Sequence, residues 1–425
     1  MKKDEKKKVR IITFGYNGEN NTGSEAKLLT TITDLKETVG DRIGEITCMT
    51  LTEEFQRRYI TDPNIKIMEI GSPKSIVVGP LKNILGKPRD IIMLSEGSTF
   101  IDHFGSLFMW MFCLTALFGK LRGEKVVAYA NDCGHLKPIN QRLLRWTLNK
   151  VDLIMLRNPD AAARMKEFGV TKEIHVTADG AYQYPLPPKD YRDAVFKKLN
   201  LDPEKKPVIG IAPKEFFWWP IKYKPYGRKE DLYRIVFYHT WPKGGREWGK
   251  RYIEDSAKYA DYCVERFGAN IALIAMERMD YPPAKQIYDA MKHKDEARIV
   301  ASNDYVVDDI ISVLSGLKFQ VTTRYHTTVL GSCSAVPMIA LSSDTRCEAV
   351  FRELGMMDLY IDYVDHAHPV PPHVENLYQT LVEKTEMLVS KEKELRDRIA
   401  KGHEMFLKRC MQNRVIFKKW FDENF

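Results

Sequence analysis

From Val9 onward, short apolar runs rich in β-branched residues alternate with longer amphipathic stretches, and this alternation restricts the chain to βαβ units. A strand covered by helices on both faces reads as a continuous apolar run, so the pattern predicts an α/β fold built on doubly wound parallel sheet. Strands are expected at Arg10–Phe14, Ile46–Leu51, Ile91–Leu94, Lys125–Ala130, Leu153–Arg157 and Glu173–Thr177. Between them, helices are expected at Ser24–Glu37, in an apolar stretch through Phe118, at Gln141–Lys150 and at Pro159–Phe168, where Gly169 supplies the C-cap.

Pro185, Pro187 and Pro188 interrupt the series, because proline continues neither a helix nor a central strand. A second series opens at Pro207–Pro213, continues through a helix at Glu254–Phe267 and a strand at Ile271–Ala275, and ends with strands at Gln320–Arg324 and Pro337–Ser342. Beyond Val374 the tail is helical, with Leu381, Leu388, Leu395, Ile399 and Phe406 at helix-compatible spacing. The expected organisation is a Rossmann-like domain over 8–184, a second over 207–361, and helices over 374–425 that pack back. Two Rossmann-like domains facing a cleft resemble the glycosyltransferase-B architecture.

Composition narrows the function classes. Seven cysteines without C-x-x-C spacing argue against a disulfide framework and a zinc site, so no metal is expected. The formal charge of +8 is concentrated at the ends, with six Lys or Arg in the first ten residues, and no nucleic-acid motif accompanies it. No apolar leader precedes Val9, which points to the cytoplasm, with contact at the inner face of a membrane left open. The stretch Phe104–Phe118 is shorter than the ~20 residues that span hydrocarbon and is expected to be a buried core helix.

Three constellations carry chemistry. The first is the polar glycine-rich turn Asn17–Ala26, containing Asn21, Gly23, Ser24 and Glu25, between the first strand and first helix. There a helix N-terminus offers N–H groups to an anion or a hydroxyl; a plain turn capped by Ser24 is the alternative. The second is Ser95–Asp102, where small residues admit a ligand to the backbone and Glu96 and Asp102 are able to hold sugar hydroxyls. The third is Val321–Ser332 followed by Asp344–Glu348. Here Arg324 and His326 stand at a strand end and Arg346 after the next strand, so two loops are expected to converge on one small anion, which arginine binds bidentately. The aromatic and basic stretch Glu215–Trp248 holds Trp218, Trp219, Trp241 and Trp248; it suits a sugar face or a surface insertion equally.

Asn21–Ala26, Glu96–Ser98, Leu156-Arg157, Asp179, Gly210–Pro213, Arg324-Tyr-His326 and Val336–Leu341, taken together and in this order, resemble the polysaccharide pyruvyl transferase family over nearly the whole chain. The resemblance implies transfer of the enolpyruvyl group of phosphoenolpyruvate to a sugar or lipid-linked saccharide of a cell-surface polysaccharide, forming a ketal and releasing phosphate. It makes His326 and Arg324 the catalytic pair, Arg346 and Lys214 donor-binding, and Asn21, Gly23, Ser24, Glu25, Glu96 and Ser98 acceptor-binding. The family usually has Lys at the position of Arg346, often Arg at that of Lys214, and Asp in the first loop where this chain has Ser24. Asn131–His135 replaces its second glycine-rich turn. Phosphoenolpyruvate is a co-substrate, and no cofactor is implied. A nucleotide-sugar-dependent glycosyltransferase of the same architecture and a non-catalytic sugar-binding protein are the competing classes.

Overall fold

The computed structural model describes residues 7–70, 88–102, 106–218, 221–234, 237–342, 344–365 and 371–425. Lys2, Lys3 and Lys6 of the basic start, Phe104 of the apolar stretch and Trp219 lie outside the described residues. Two compact units are present. One takes the residues up to Glu19, Ser24–Tyr184 and Phe406–Phe425, and the other takes Asn20–Gly23 and Pro185–Met405.

The first unit is built on β1 (Val9–Phe14), β2 (Ile43–Thr50), β3 (Ile65–Glu69), β4 (Ile91–Leu94), β5 (Lys125–Asn131), β6 (Leu153–Leu156) and β7 (His175–Val176). Their order in the sheet is β3-β2-β1-β4-β5-β6-β7, and every pairing is parallel. The chain reverses its direction of progress between β1 and β4, so the loops after these two strands diverge at a switch point, the usual ligand position in such sheets. One face of the sheet packs Phe112, Cys113 and Ala116 with Leu144, Leu148 and Met165. The other packs Leu28, Ile32 and Leu35 with Phe417 and Phe421. β3 is a strand the sequence pattern did not reveal, and β7 keeps only two residues of the expected Glu173–Thr177.

The helix Ser106–Leu121 departs from the expectation of a buried core helix. Met109, Phe112, Cys113, Ala116 and Leu117 are buried, whereas Leu107, Trp110, Leu114, Phe118 and Leu121 are exposed. Its composition is apolar all round, but it lies on the outside of a sheet, where only one face has a partner.

The second unit contains β8 (Val208–Ala212), an insertion of β9 (Lys222–Tyr223), β10 (Leu232–Arg234) and β11 (Phe237–Tyr238), then β12 (Asn270–Ala275), β13 (Ala297–Ala301), β14 (Leu317–Thr322), β15 (Met338–Ser342) and β16 (Tyr360–Asp362). The main sheet runs β13-β12-β8-β14-β15-β16 and is parallel throughout. Its switch point falls between β8 and β14. The insertion is a separate antiparallel sheet in the order β10-β11-β9. There the Trp218 ring stacks on His239 at 4.2 Å, and Trp241 donates to Asp231 at 2.9 Å. Trp248 belongs to the helix Gly245–Phe267, which starts nine residues before the expected Glu254.

The helix Leu377–Ser390 and the first part of the helix Glu392–Asn424 belong to the second unit, where Leu381, Leu388, Leu395 and Ile399 are buried. The remainder of the long helix belongs to the first unit. Phe406 stacks on Tyr182 at 4.7 Å, Asn413 donates to the Ala178 carbonyl at 2.9 Å, and Arg414 meets Asp34 at 3.0 Å.

Candidate active site

The carboxyl ends of β8, β12, β14 and β15 bring charged side chains together in the second unit. Lys214 follows β8, and Arg324 and His326 follow β14 on the other side of the switch point. The strand expected to run to Arg324 stops at Thr322; Arg324 is the N-cap residue of the helix Tyr325–Ser332, and His326 lies in that helix's first turn. Thr322 fixes this bend, because its hydroxyl accepts the Arg324 N–H at 3.0 Å, while Thr323 donates to the Ala212 carbonyl of β8 at 2.9 Å. Arg346 stands in the first turn of the helix Thr345–Glu353 after β15, with its guanidinium 5.6 Å from the centre of the Tyr325 ring. Lys214, Arg324, His326 and Arg346, read from separate stretches of sequence, thus belong to neighbouring loops of one sheet.

Sequence reasoning missed their counter-charges. Glu277 and Asp280, in the turn after β12, both pair with the Arg324 guanidinium, Glu277 at 2.5 Å. Asp344 caps the helix of Arg346 and holds that residue's guanidinium through Nε at 2.7 and 2.9 Å. Asn21, expected at the acceptor, donates to Glu277 at 2.7 Å, and the Thr22 N–H bonds the Met276 carbonyl at 2.9 Å. With every group ionised, Lys214, Arg324 and Arg346 balance Glu277, Asp280 and Asp344 in formal charge.

The balance is tuned by burial. Desolvation outweighs the attraction of Arg324 and pushes the Asp280 carboxyl up to about 7, with Glu277 adding to the effect. Desolvation together with the like charge of Arg324 pulls the Lys214 ammonium down to about 8. Burial opposes the charge of Arg324 as well, but Asp280 and Glu277 hold it protonated beyond the usual arginine range. One oxygen of Asp280, Oδ2, is buried without a hydrogen-bond partner among the described residues. A proton or an incoming ligand is able to use it.

Gly23 sets the position of His326. A Cβ added at residue 23 would lie 2.0 Å from both Cγ and Nδ1 of the imidazole, which no side-chain carbon tolerates. The Gly23→Ala protein is therefore expected to displace the ring by an ångström or more and to lose about 10²-fold in turnover, the usual cost of such a misplacement. Measured kcat with unchanged thermal stability checks this, and wild-type turnover in the variant would show that the ring position is not critical.

The other sequence-derived residues lie in the first unit. Glu25 is fully buried; its carboxylate accepts the Gly18 N–H at 2.8 Å and the Gln56 amide at 2.6 Å, and burial pushes it up to about 7. One oxygen therefore holds the glycine-rich loop from inside, and the other ties it to Gln56. Ser24 is buried in the first turn of the helix Thr22–Val39, which also carries Glu25. Glu96 accepts the N–H of Tyr16 at 3.0 Å and both the N–H and hydroxyl of Ser98, at 3.2 and 3.1 Å. Gly97 between them rests on Arg157, whose Nη1 would be 2.2 Å from a Cβ at that position. The structure thus brings Asn21, Gly23, Lys214, Arg324, His326 and Arg346 together in one unit and Ser24, Glu25, Glu96 and Ser98 in the other.

Two Rossmann-like units of parallel sheet define a glycosyltransferase-B-like α/β protein, and solved structures of that kind are similar to this chain. A UDP-GlcNAc 2-epimerase from Methanocaldococcus jannaschii is 16% identical, with 94% of this chain and 98% of that one covered and a TM-score of 0.57. For the Neisseria meningitidis UDP-GlcNAc 2-epimerase bound to UDP-GlcNAc the values are 11%, 95%, 99% and 0.55. For a glycosyltransferase from Rickettsia africae they are 11%, 97%, 99% and 0.56. At these identities the likeness is one of fold, which by itself hosts many chemistries. A comparison with curated protein sequences returns no match. The chain belongs to the polysaccharide pyruvyl transferase family, whose model matches residues 90–345, more than half of its 425 residues. Lys214, Glu277, Asp280, Arg324 and His326 fall inside that span; Asn21, Gly23, Ser24 and Glu25 precede it, and Arg346 follows it by one residue.

Proposed function

We propose that the protein transfers the enolpyruvyl group of phosphoenolpyruvate to two hydroxyls of a saccharide, giving a cyclic ketal and inorganic phosphate. The observation that carries this reading is that Lys214, Arg324, His326 and Arg346 stand on neighbouring loops of one sheet within a chain of this family. The donor has a carboxylate and a phosphate, and both need cations. His326 protonates C3 of the enol as a general acid, so that C2 becomes electrophilic. The first sugar hydroxyl forms a C–O bond at C2, the C2–O bond to phosphate breaks, and the second hydroxyl closes the ring. Of the two hydroxyl protons released, one restores His326 and the other leaves with the products. Following phosphate release from phosphoenolpyruvate with lipid-linked and nucleotide-linked saccharides, in chelator, tests the reading. Turnover of a nucleotide-sugar with no use of phosphoenolpyruvate overturns it.

The carboxylates make donor binding depend on pH. An anion at Arg324 displaces Asp280, and Asp280 leaves most readily when neutral, below about pH 7. Affinity for phosphoenolpyruvate should therefore fall as pH rises through 7, by at most about ten-fold per unit for one linked proton. Ionisation of the donor's own phosphate, near pH 6, works in the opposite direction. Calorimetry in two buffers of different ionisation enthalpy is expected to show proton uptake on binding, and Asp280→Asn to abolish it. Proton release, or uptake unchanged in the variant, removes Asp280 from the linkage.

A further inference from the structure

The helix Ser106–Leu121 leaves an apolar stripe uncovered. Leu107, Trp110, Leu114, Phe118 and Leu121 are 50%, 42%, 44%, 39% and 81% exposed and follow one another at three- and four-residue steps, so they line one side of the helix for about 21 Å. The neighbouring helix Pro138–Leu148 covers the same sheet face, since Cys113 and Ala116 share a core with Leu144 and Leu148. The two are joined where the Trp110 indole donates to Asn140 at 2.7 Å. That second helix adds Ile139 and Trp146, 60% and 56% exposed. Isolated exposed apolar residues are ordinary, but seven on two adjoining helices mark an interaction surface.

The charge on this surface has one sign. Between Ser106 and Lys150 there are seven basic residues and two acidic ones, and both acids, Glu124 and Asp132, are buried. Lys120 and Lys125 pair with Asp152, and Arg122 with Glu124. Lys137, Arg142, Arg145 and Lys150 are exposed cations within or next to the second helix, with Lys150 lying 5.9 Å over the Trp146 ring. Neither helix contains Asp or Glu.

We infer that this face docks on a lipid bilayer bearing anionic headgroups, with the stripe at the acyl boundary and the cations among the headgroups. Aliphatic and aromatic residues beside basic ones are the composition of helices that lie in a membrane interface. A second copy of the chain fits less well, because pairing the face with itself would oppose two sets of cations. The helix has 16 residues, fewer than the ~20 needed to span hydrocarbon. Among the described residues no helix is long and apolar enough to cross a membrane, so the contact lies on the surface. The inference is independent of the reaction proposed above.

Cosedimentation of the full chain with vesicles tests it, using phosphatidylcholine alone and phosphatidylcholine with about a third phosphatidylglycerol. Binding is expected to the anionic vesicles and to weaken at high salt. Arg142→Gln with Arg145→Gln should lower partitioning roughly 25-fold, about five-fold per charge. Leu114→Ser with Phe118→Ser should lower it at least ten-fold, with a smaller fall in unfolding temperature than a change in the core would give, because both side chains are partly exposed. Hydrogen exchange over 106–121, slowed by anionic vesicles, provides a readout that needs no variant. No binding of wild type to either vesicle, or equal binding by all variants, overturns the inference. So does a wild-type dimer that the Leu114/Phe118 variant dissociates, which would assign the face to a second copy.

Discussion

Replacing His326 by Gln is expected to lower kcat by roughly 10²–10⁴-fold and to leave affinity for phosphoenolpyruvate, the proposed donor, near that of wild type. The reasoning starts from a difference between two neighbours. In the proposed reaction Arg324 would act through a permanent charge on bound donor and reacting donor alike. A general acid contributes mainly while a proton is moving. Glutamine fills much of the imidazole's space beside Gly23 and still donates a hydrogen bond, but it cannot deliver a proton near neutral pH. Single-turnover phosphate release, measured beside calorimetric affinity, separates the two roles. Full turnover in the Gln variant would make His326 a binding residue, and the acid would then be sought at Asp280, whose carboxyl burial raises to about 7, or at His135 or Glu96.

The parallel strands were legible because each is buried on both faces and reads as an apolar run; Ile91–Leu94 and Ile271–Ala275 are recovered almost to the residue. Three of the four edge strands of the two parallel sheets were not. β3 has one buried residue and carries Lys66 and Glu69, β13 carries Arg298 on a partly open face, and β16 is three residues long, so none makes a continuous apolar run. Cations were legible for a similar reason: Arg324-Tyr-His326 and Arg346 follow buried strands and stand at helix starts. Their partners Glu277 and Asp280 stand in the sequence Met276-Glu-Arg-Met-Asp280, which reads as an ordinary charged turn. That Asp280 meets Arg324, 44 residues away, is a product of strand order and leaves no local periodicity. Missing the carboxylates changes the physics, since a set of open cations would bind anions with little dependence on pH near 7, whereas a balanced set must exchange partners. The exposed stripe of Ser106–Leu121 was hidden by the opposite problem. Its buried and exposed residues are equally apolar, so no moment in the pattern tells which side faces the sheet.

Arg157→Ala is expected to destabilise the first unit by about 3–5 kcal/mol, the cost of leaving buried carboxylates without their cation. Arg157 is 1% exposed in its side chain and lies between Asp132 and Asp179, which are 1% and 0% exposed. Its Nε donates to Asp132 at 2.8 Å and its Nη1 to Asp179 at 2.5 Å. The carboxylates are held from behind as well, Asp132 by the Cys133 N–H at 2.8 Å and Asp179 by the Ala181 N–H at 2.9 Å, so they cannot swing out to water. For a unit of this size the loss corresponds to a fall of roughly 6–20 °C in the transition it dominates, measurable by calorimetry. A cycle with Asp132→Asn separates charge from packing. Removing the charge of one stranded carboxylate should recover part of the loss, whereas strictly additive effects would mean that only van der Waals contact was lost. Because Gly97 rests on the same guanidinium, the Glu96–Ser98 turn should loosen with it. A fall in saccharide affinity alongside unchanged donor affinity would then tie this buried ion network to the acceptor, and loss of both or neither would leave it a stabilising element of the sheet.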